Sequence, residues 1–465
     1  MQDLGGADTR RQGSVVYLVS VCLVAALGGL LFGYDTGVVN GSLKYVQLKY
    51  ELDAAMKGFA ASSALMACIF GAALAGPLTD RVGRKKALIL SAVLFLISAV
   101  GTALPRNFTE FIIYRAIGGL GVGAASMISP MYIAEISPAR IRGRMVSLNQ
   151  FAIIFGMLLV YFVNYFIAGL GDESWNTERG WRWMFGSEAL PAAILLILTF
   201  IIPESPRWLA RQGKPEKAVR ILSHIDGDEF AQRELRIIEE TLSHETGSIQ
   251  QLFEPGMKIV LVIGIVLAVL QQVTGINVFL YFGSEIFVKL GGEKMDAALL
   301  QQVVVGATNL LFTVVAIWTV DKLGRKPLMI VGSFGMGISL IAMGLAGTYQ
   351  ATGDWLLIFV LVYIASFALS VGPVTWVILS EIFPTTIRGR AMGISAICLW
   401  LANTVVSQTF PMMDENKYLV EKFNHGFPFF LYGIMCIALI VFTWRFVPET
   451  KGRSLEEIEK MWTKR

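Results

Sequence analysis

Two charged residues, Asp35 and Arg115, lie inside stretches of the sequence that are otherwise apolar. Asp35 follows an uncharged run from Ser14 to Phe32, and Arg115 interrupts the segment FTEFIIYRAIGGLGVG. Isolated charges in hydrocarbon are costly, so such residues usually pair with one another and mark ion or proton pathways. A carboxylate that alternates between pairing with arginine and binding a proton could carry that proton. The alternatives are a static structural ion pair, or an Asp35 that only touches lipid headgroups.

Three amide side chains, Gln271, Gln272 and Asn277, fall within the apolar segment QQVTGIN. Amides both donate and accept hydrogen bonds, as a ligand rich in hydroxyl groups requires. A single amide in a membrane helix is usually explained by an interhelical hydrogen bond. Three together beside Gly275, which allows a helix to bend or unwind around a ligand, indicate a binding site. In a continuous helix Gln271 and Gly275 would lie one turn apart on the same face.

Membrane helices must position these side chains. The 465-residue chain is 55% hydrophobic and 16% charged, whereas soluble domains average about 25% charged residues. A helix needs about 20 apolar residues to cross the hydrocarbon core. That length predicts twelve spans, near residues 15–39, 57–78, 87–104, 110–134, 145–169, 183–202, 258–287, 298–320, 327–346, 355–381, 391–411 and 427–447. The first run is too long for a cleavable signal and is expected to be a retained helix.

Lysine and arginine collect in the short loops after spans 2, 4, 8 and 10, which read DRVGRKK, ARIRGR, DKLGRKP and TTIRGR, and at both termini. Because cytoplasmic loops carry the excess of positive residues, both termini are expected to face the cytoplasm. Asp35 then lies roughly 6 Å from the outer end of span 1, and Arg115 roughly 8 Å from the outer end of span 4, at 1.5 Å per residue. The two charges are therefore expected at similar depth.

The two halves of the sequence repeat one another. DRVGRK at residue 80 recurs as DKLGRK at 321, EISPARIRGR at 135 as EIFPTTIRGR at 381, and PES at 203 as PET at 448. Three motifs in one order predict an all-α membrane protein with twelve transmembrane helices in two six-helix repeats. Such halves can rock about a site held between them. The alternative is a duplication that only builds a stable scaffold.

The repeat also predicts the domain limits. Between the halves, Ala218, Ile221 and Leu222, and then Leu235 and Ile238, have helical spacing with polar residues between them. We expect short amphipathic helices at the cytoplasmic face. The predicted units are an N-terminal half at 1–202, a cytoplasmic linker at 203–257, a C-terminal half at 258–447 and a cytoplasmic tail at 448–465.

Several other functions are excluded by the sequence. The four cysteines lie in apolar runs and the three histidines in polar segments without ligand spacing, so no metal or other cofactor is expected. A net charge of +4 does not indicate nucleic-acid binding. GLGVGA at 119–124 fits a dinucleotide pattern but follows no strand, and small residues that allow helices to pack closely explain it better. The sequence contains no recognisable catalytic nucleophile or phosphate-binding loop, so an enzyme is not expected.

The duplicated D-R/K-x-G-R-K/R and E-x-x-P-x-x-x-R-G-R motifs, with PESPRWL, QQVTGIN and PETKGRS, are the pattern of a known family. From about residue 15 to residue 460 the chain resembles the sugar porter family of the major facilitator superfamily. The segments LGGLLFGYDT, ASMISPMYIAE, LNQFAIIFG and VPETKG are most similar to bacterial xylose-type sugar:proton symporters. The resemblance implies the major facilitator fold.

The resemblance also implies roles for individual residues. Asp35 and Arg115 match the proton-coupling pair of the family. Sugar contacts are implied at Phe32, Gln150, Gln271, Gln272, Asn277, Asn309, Gly372, Trp376 and Trp400. Gly372 precedes Pro373 in mid-span, where proline breaks a helical hydrogen bond and provides a hinge.

A cytoplasmic gate is a further implication. Its residues are Glu135, Arg142, Glu381, Arg388, Asp80, Arg84, Asp321 and Arg325. By resemblance, glutamates of one half pair with arginines of the other half and hold the outward-open state. The alternative is a set of solvated surface ion pairs, each worth about 0 to 1 kcal/mol.

These observations lead us to expect a secondary transporter that imports a monosaccharide with a proton by alternating access. It is expected in the inner (plasma) membrane as a multi-pass monomer, with sugar, proton and lipid bilayer as its partners. A facilitator without proton coupling is the first alternative, and a sugar-sensing receptor is the second, disfavoured by the short tail. Met157 and Leu399 replace glutamines typical of the xylose-type pattern, which leaves D-xylose, glucose, galactose and arabinose as candidate sugars.

Overall fold

The computed structural model describes residues 13–244, 252, 254–292, 294–351, 353, 355–383 and 387–451. Within these ranges the chain is helical and contains no β-strand. Twelve segments are long and apolar enough to cross a membrane, in agreement with the predicted count. Some of these segments are continuous helices, and others are interrupted where polar side chains gather.

The first half consists of eight helices. They are α1 (Val15–Tyr50), α2 (Ala54–Val82), α3 (Arg84–Ala103), α4 (Phe108–Ile136), α5 (Arg142–Ala168), α6 (Glu173–Trp175), α7 (Trp181–Gly186) and α8 (Ala189–Ile201). A π-helical turn, Asn176–Gly180, joins α6 to α7. Helix α6, this turn, α7 and α8 together form the sixth apolar segment, Glu173–Ile201.

Three helices follow within the predicted linker: α9 (Pro206–Arg211), α10 (Pro215–Asp226) and α11 (Asp228–His244). Their apolar residues, including Leu222, Ile225 and Ala231, share a buried cluster with Leu18 and Tyr132 of the first half. The amphipathic spacing of the sequence thus corresponds to helices that pack on the first half. The domain limits themselves stay a prediction.

The second half contains the remaining helices. They are α12 (Pro255–Val273), α13 (Ile276–Gly291), α14 (Met295–Leu323), α15 (Arg325–Thr348), α16 (Leu356–Ser366), α17 (Gly372–Ile382), α18 (Arg388–Asp414), α19 (Lys417–Phe423) and α20 (Phe427–Phe446). A π-helical turn, Phe367–Val371, separates α16 from α17. Two of the predicted spans in this half, 258–287 and 355–381, are therefore interrupted helices.

Helix α1 is longer than the sequence predicts. It continues from the expected end at residue 39 to Tyr50, which places Asp35 in mid-helix rather than near the helix end. The expected end coincided with polar residues, but their side-chain donors have partners: Asn40 Nδ2 donates to the Leu280 carbonyl (3.2 Å) and Ser42 Oγ to the Val38 carbonyl (2.8 Å). Because these groups have partners, the helix can continue.

Helices α1 and α5 approach each other at backbone distance. A Cβ atom added at Gly33 of α1 would overlap the Ile153 carbonyl oxygen of α5, and one at Gly156 of α5 would overlap the Leu30 carbonyl oxygen of α1. Small residues allow such close packing in membrane helices. The two contacts fix α1, and with it Phe32 and Asp35, against α5.

Candidate functional site

Asp35 and Arg115 form a buried ion pair between α1 and α4. Arg115 Nη1 donates to Asp35 Oδ1, and the two residues are 2% and 4% exposed, respectively. The guanidinium also lies 5.4 Å from the centre of the Phe185 ring. The expected proximity of the two charges is therefore observed, although the length of α1 makes its predicted distance from the helix end wrong. A buried pair of this kind requires both partners, because either charge alone would be uncompensated.

A third charged residue, Glu188, lies beside this pair and was not singled out in the sequence. It is 1% exposed, immediately precedes α8 and is within electrostatic range of both Asp35 and Arg115. Among the described residues, Glu188 Oε1 and Arg115 Nε have no hydrogen-bond partner. Glu188 occupies a place in predicted span 6 (183–202) like that of Arg115 in span 4. The depth rule that paired the first two charges would therefore have found it.

The three amides gather where the seventh span is interrupted. Helix α12 ends at Val273 and α13 begins at Ile276, with Gly275 between them at φ 90°. Asn277 Nδ2 donates to Gln272 Oε1 across the break, and Gln272 Nε2 lies 3.4 Å from Gln271 Oε1. The expectation that Gln271 and Gly275 share a helical face is wrong, because the helix ends before the glycine.

The break in the seventh span faces the interruption of the tenth. Gln271 Nε2 donates to the carbonyl oxygens of Gly372 (3.1 Å) and Val371 (3.3 Å), and Tyr363 Oη donates to the Thr274 carbonyl (2.9 Å). An interrupted helix leaves backbone groups without their regular partners, and side chains can satisfy them. The result is a cluster of amides and backbone carbonyls with both donors and acceptors.

Two aromatic residues predicted to contact ligand meet at the interface between the halves. The rings of Phe32 on α1 and Trp400 on α18 have centroids 5.4 Å apart at an angle of 50°. Trp400 is 5% exposed, whereas Trp376 on α17 is 37% exposed. Phe32 and Trp400 therefore form a contact between the two halves, close in sequence to Asp35 on α1. The Trp376 side chain remains partly accessible.

The remaining predicted contacts differ in burial. Asn309 on α14 is buried, whereas Gln150 on α5 is exposed. Gln150 lies three turns before Tyr161 on the same stripe of α5. Tyr161 Oη donates to the Leu280 carbonyl of α13 at 3.1 Å, so this stripe contacts the second half near the C-terminal end of α5.

The repeated motifs of the first half form one cluster at the end of the bundle where α2 meets α3. Arg84 binds Glu135 through Nε (2.9 Å) and Nη2 (2.8 Å), and Ser205 Oγ donates to the same carboxylate. Glu204 accepts the backbone N–H groups of Arg84 (2.9 Å) and Lys85 (3.1 Å) at the start of α3. Carboxylates are favoured at a helix N-terminus, where N–H groups lack helical partners.

The second half repeats this cluster. Arg325 Nη2 binds Glu381 (2.8 Å), Thr450 Oγ1 donates to Glu381 (2.5 Å), and Glu449 accepts the backbone N–H groups of Arg325 (3.1 Å) and Lys326 (3.0 Å). Partial burial raises the pKa of Glu449, but hydrogen bonds from backbone N–H groups, that of Lys451 first, outweigh it and leave the pKa below its usual range. The sequence duplication is thus a duplication of contacts.

The predicted gate residues pair within their own halves here. Glu135 and Glu381 each bind the arginine of the neighbouring D-R/K-x-G-R motif, and Asp80 lies 3.5 Å from Arg84. Arg142 lies 3.6 Å from Glu234 of the linker helix α11. The side chains of Asp321 and Arg388 lie outside the described residues. Pairing across the halves, expected for an outward-open state, stays a prediction.

The family of the chain follows from comparison with known sequences. A family model for "Sugar (and other) transporter" proteins matches residues 21–462. The chain belongs to the sugar transporter family. A transporter family also agrees with the prediction that the chain is not an enzyme.

Individual relatives of this sugar transporter family cover nearly the whole chain. The chain is 50% identical to the D-xylose-proton symporter of Escherichia coli (strain K12), over 96% of each protein. It is 41% identical to the arabinose-proton symporter of Bacillus subtilis (strain 168), over 98% of this chain and 97% of the relative. The solved inward open conformation of the xylose transporter XylE from E. coli matches with a TM-score of 0.85 and 47% identity, over 96% of this chain and 100% of that one. The predicted major facilitator fold is confirmed.

The two ends of this sugar transporter family member differ in how its halves meet. At one end, a Cβ atom added at Gly58 of α2 would overlap the Gln408 carbonyl oxygen of α18, and Ser62 Oγ donates to Gln408 Oε1 at 2.9 Å. At the end that carries the paired RGR motifs, a Cβ atom added at Gly143 or Gly389 would meet no described atom of another segment within 4 Å. The halves are therefore in close contact at the first end, and the RGR motifs at the other end border open space.

Proposed function

We propose that this chain imports a monosaccharide together with a proton by alternating access. The observation that carries the proposal is the buried Asp35 and Arg115 pair, with Glu188 beside it. Ionisable residues at such depth mark ion and proton pathways. The two proton symporters named above support pentoses as the first sugars to test.

The proton step uses Asp35 as the carrier. While Asp35 is ionised, the adjacent guanidinium stabilises it; separation from Arg115 in a dry environment favours the protonated acid. Glu188 gives Arg115 a second carboxylate to bind, so the arginine does not become unpaired when Asp35 accepts a proton. Movement of α1 relative to α4 would thereby be linked to proton uptake and release.

Sugar binding is assigned to the interrupted spans of the second half and the aromatic residues facing them. Gln271, Gln272 and Asn277 would hydrogen-bond sugar hydroxyl groups, and the carbonyls near Gly372 would orient the first of these amides. Aromatic rings cover the apolar face of a sugar, and indole adds a donor. Phe32, Trp376 and Trp400 fill these positions, with Gln150 and Asn309 as further polar contacts.

We also propose the orientation and the state. The lysine- and arginine-rich loops assign both termini to the cytoplasm, and the closed outer side and open RGR side match an inward-facing conformation of an inner-membrane protein. In the outward-facing state Glu135 and Glu381 would exchange partners with arginines of the opposite half. One chain contains both halves of the pathway, so the functional unit is a monomer.

Proteoliposomes containing the purified chain provide the test. With an inward proton gradient, wild-type protein should accumulate D-xylose or another aldopentose against its concentration gradient. Asp35→Asn should lose this uphill uptake but retain exchange of labelled for unlabelled sugar. Asp53→Asn is the matched control, because Asp53 caps α2 at the outer side and asparagine caps equally well.

Three outcomes would overturn parts of the proposal. Unchanged uphill uptake in Asp35→Asn would exclude this residue as the proton carrier. Downhill uptake by wild-type protein without accumulation would support the facilitator. Absence of uptake for all of D-xylose, arabinose, glucose and galactose would remove monosaccharides as the substrate class.

A further inference from the structure

A second buried charge cluster joins the two halves at the outer side. Lys57, in the second turn of α2, is 2% exposed. Its amino group binds Glu285 of α13 and lies 3.3 Å from Glu415, which follows α18. Lys57 belongs to the first half and both carboxylates to the second. This ion pair therefore crosses the interface that must open when the outer side opens.

The second half holds Asp414 and Glu415 without help from Lys57. Lys289 Nζ lies 2.5 Å from Asp414 and 3.7 Å from Glu415, and His425 Nδ1 lies 3.0 Å from Asp414. When the halves separate, Glu415 keeps a cation of its own half, whereas Lys57 and Glu285 lose their contact. The closed state alone provides the pairing between Lys57 and Glu285.

Burial makes this pairing strongly dependent on conformation. A charge held away from water is tolerated only with its partner, and removing one partner leaves the other uncompensated. A cavity of about 390 Å³, lined in part by Lys44, Glu51, Lys57 and Glu285, adjoins the cluster. Water in this cavity could hydrate both charges as the halves separate, so the interaction can break without trapping a dry charge.

We propose that Lys57 is an electrostatic latch that closes the outer side of the transporter through Glu285 and Glu415. The latch stabilises the inward-facing state and is released in each cycle when the outer side opens. It is separate from the Asp35 and Arg115 pair, which lies within the first half. The proposal rests on the alternating access proposed above, but it requires neither a particular sugar nor proton coupling.

The test measures the distance between the outer ends of the halves in detergent without sugar. Spin labels are placed at Leu170→Cys after α5 and Tyr418→Cys in α19, both exposed, in a background without the native cysteines. Pulsed electron spin resonance reports the ratio of long to short distances. Lys57→Met should raise this ratio about tenfold or more, since the buried carboxylate loses its cation.

Matched variants keep the result interpretable. Lys44→Met removes a lysine from the same outer surface whose partner, Glu173, is in its own half at 2.7 Å, and should leave the ratio unchanged. Lys57→Arg keeps the charge and should resemble wild type. Glu285→Gln opens the latch from the other side and serves if Lys57→Met does not fold.

Unchanged distances in both Lys57→Met and Glu285→Gln would overturn the latch. An equal shift in Lys44→Met would attribute the effect to general surface charge instead. Loss of proton-driven uptake in Asp35→Asn leaves this measurement unaffected, so the latch and the proton mechanism can fail independently.

Discussion

The two halves are built alike at the ends that carry the repeated motifs and differently in their middles. Arg84 with Glu135 and Arg325 with Glu381 are near copies. In each, a further glutamate, Glu204 or Glu449, accepts the backbone N–H group of the arginine at the start of its helix. Away from these ends, however, the first half holds the buried ion pair on the continuous helices α1 and α4. The second half holds neutral amides where two of its spans are interrupted.

Under the proposed function, this difference gives the two repeated halves different chemical roles. A buried charge needs a partner at a fixed position, and the continuous helices α1 and α4 hold Asp35 and Arg115, while Glu188 joins them from the turn before α8. A ligand with many hydroxyl groups needs donors and acceptors in several directions, which interrupted helices expose. Under the function proposed above, proton chemistry belongs to the first half and most sugar hydrogen bonds to the second, with Phe32 and Trp400 in contact between them.

The largest effect is expected from Arg115→Met. The change leaves Asp35 and Glu188 buried without a cation, so stability should fall by about 3 to 5 kcal/mol. Thermal unfolding in detergent measures it. Arg140→Met is the control, because Arg140 is exposed and its ion pair with Asp226 should contribute about 0 to 1 kcal/mol. Equal loss in both variants would contradict a special role for burial in the first half.

The second largest effect is expected on sugar affinity, from substitutions in the second half. Gln271→Leu or Gln272→Leu removes a hydrogen-bonding group from the amide cluster, and each should weaken binding of the transported sugar by about 1 to 3 kcal/mol. Calorimetry or substrate exchange gives the dissociation constant. Gln47→Leu, in the first half, should leave affinity unchanged. If Asp35→Asn weakened sugar binding more than either amide variant, the division between the halves would be wrong.

The interruption of the seventh span can be tested at Gly275. Its φ of 90° favours glycine, and an added Cβ atom would lie 2.7 Å from the Tyr432 ring. Gly275→Ala should therefore cost about 1 to 3 kcal/mol in stability and also weaken sugar binding. Gly337→Ala, where the new Cβ would be 3.4 Å from Cys436 in ordinary contact, is the matched control. Similar behaviour of the two variants would argue against a required break.

The smallest effects are expected where the halves agree. Glu449→Gln and Glu204→Gln should each cost about 1 kcal/mol or less at pH 7, because both glutamates are partly exposed helix-start acceptors. The folded-state pKa of Glu449 is lowered, so its stabilisation is present above the unfolded pKa and disappears as pH falls through the folded pKa. Unfolding of wild type and Glu449→Gln should thus converge in acid. Divergence there would contradict the assigned hydrogen bonds.

Much of the frame could be predicted because it depends on periodic physical signals. Apolar run lengths give the twelve spans, and repeated motifs give the paired clusters. The cost of isolated charges was enough to pair Asp35 with Arg115. The same cost applies to Glu188 and Lys57, which also lie within predicted spans, at 183–202 and 57–78.

Other features depended on contacts between distant residues. The continuation of α1 to Tyr50 requires that Asn40 find a carbonyl at Leu280, which local sequence does not reveal. The break before Gly275 was suggested by composition, but its position depends on packing against Tyr432 and the tenth span. Pairing of Glu135 and Glu381 within their halves depends on which conformation is populated.

The packing of the linker on the first half has a consequence for how the chain is made. Leu222, Ile225 and Ala231 of α10 and α11 bury against Leu18, and Ser14 N donates to the His224 carbonyl at 3.0 Å. These residues leave the ribosome before any helix of the second half. Because domains generally fold as units during synthesis, the first half can close its cytoplasmic core early. The second half would then be inserted into the membrane beside a first half that has already folded.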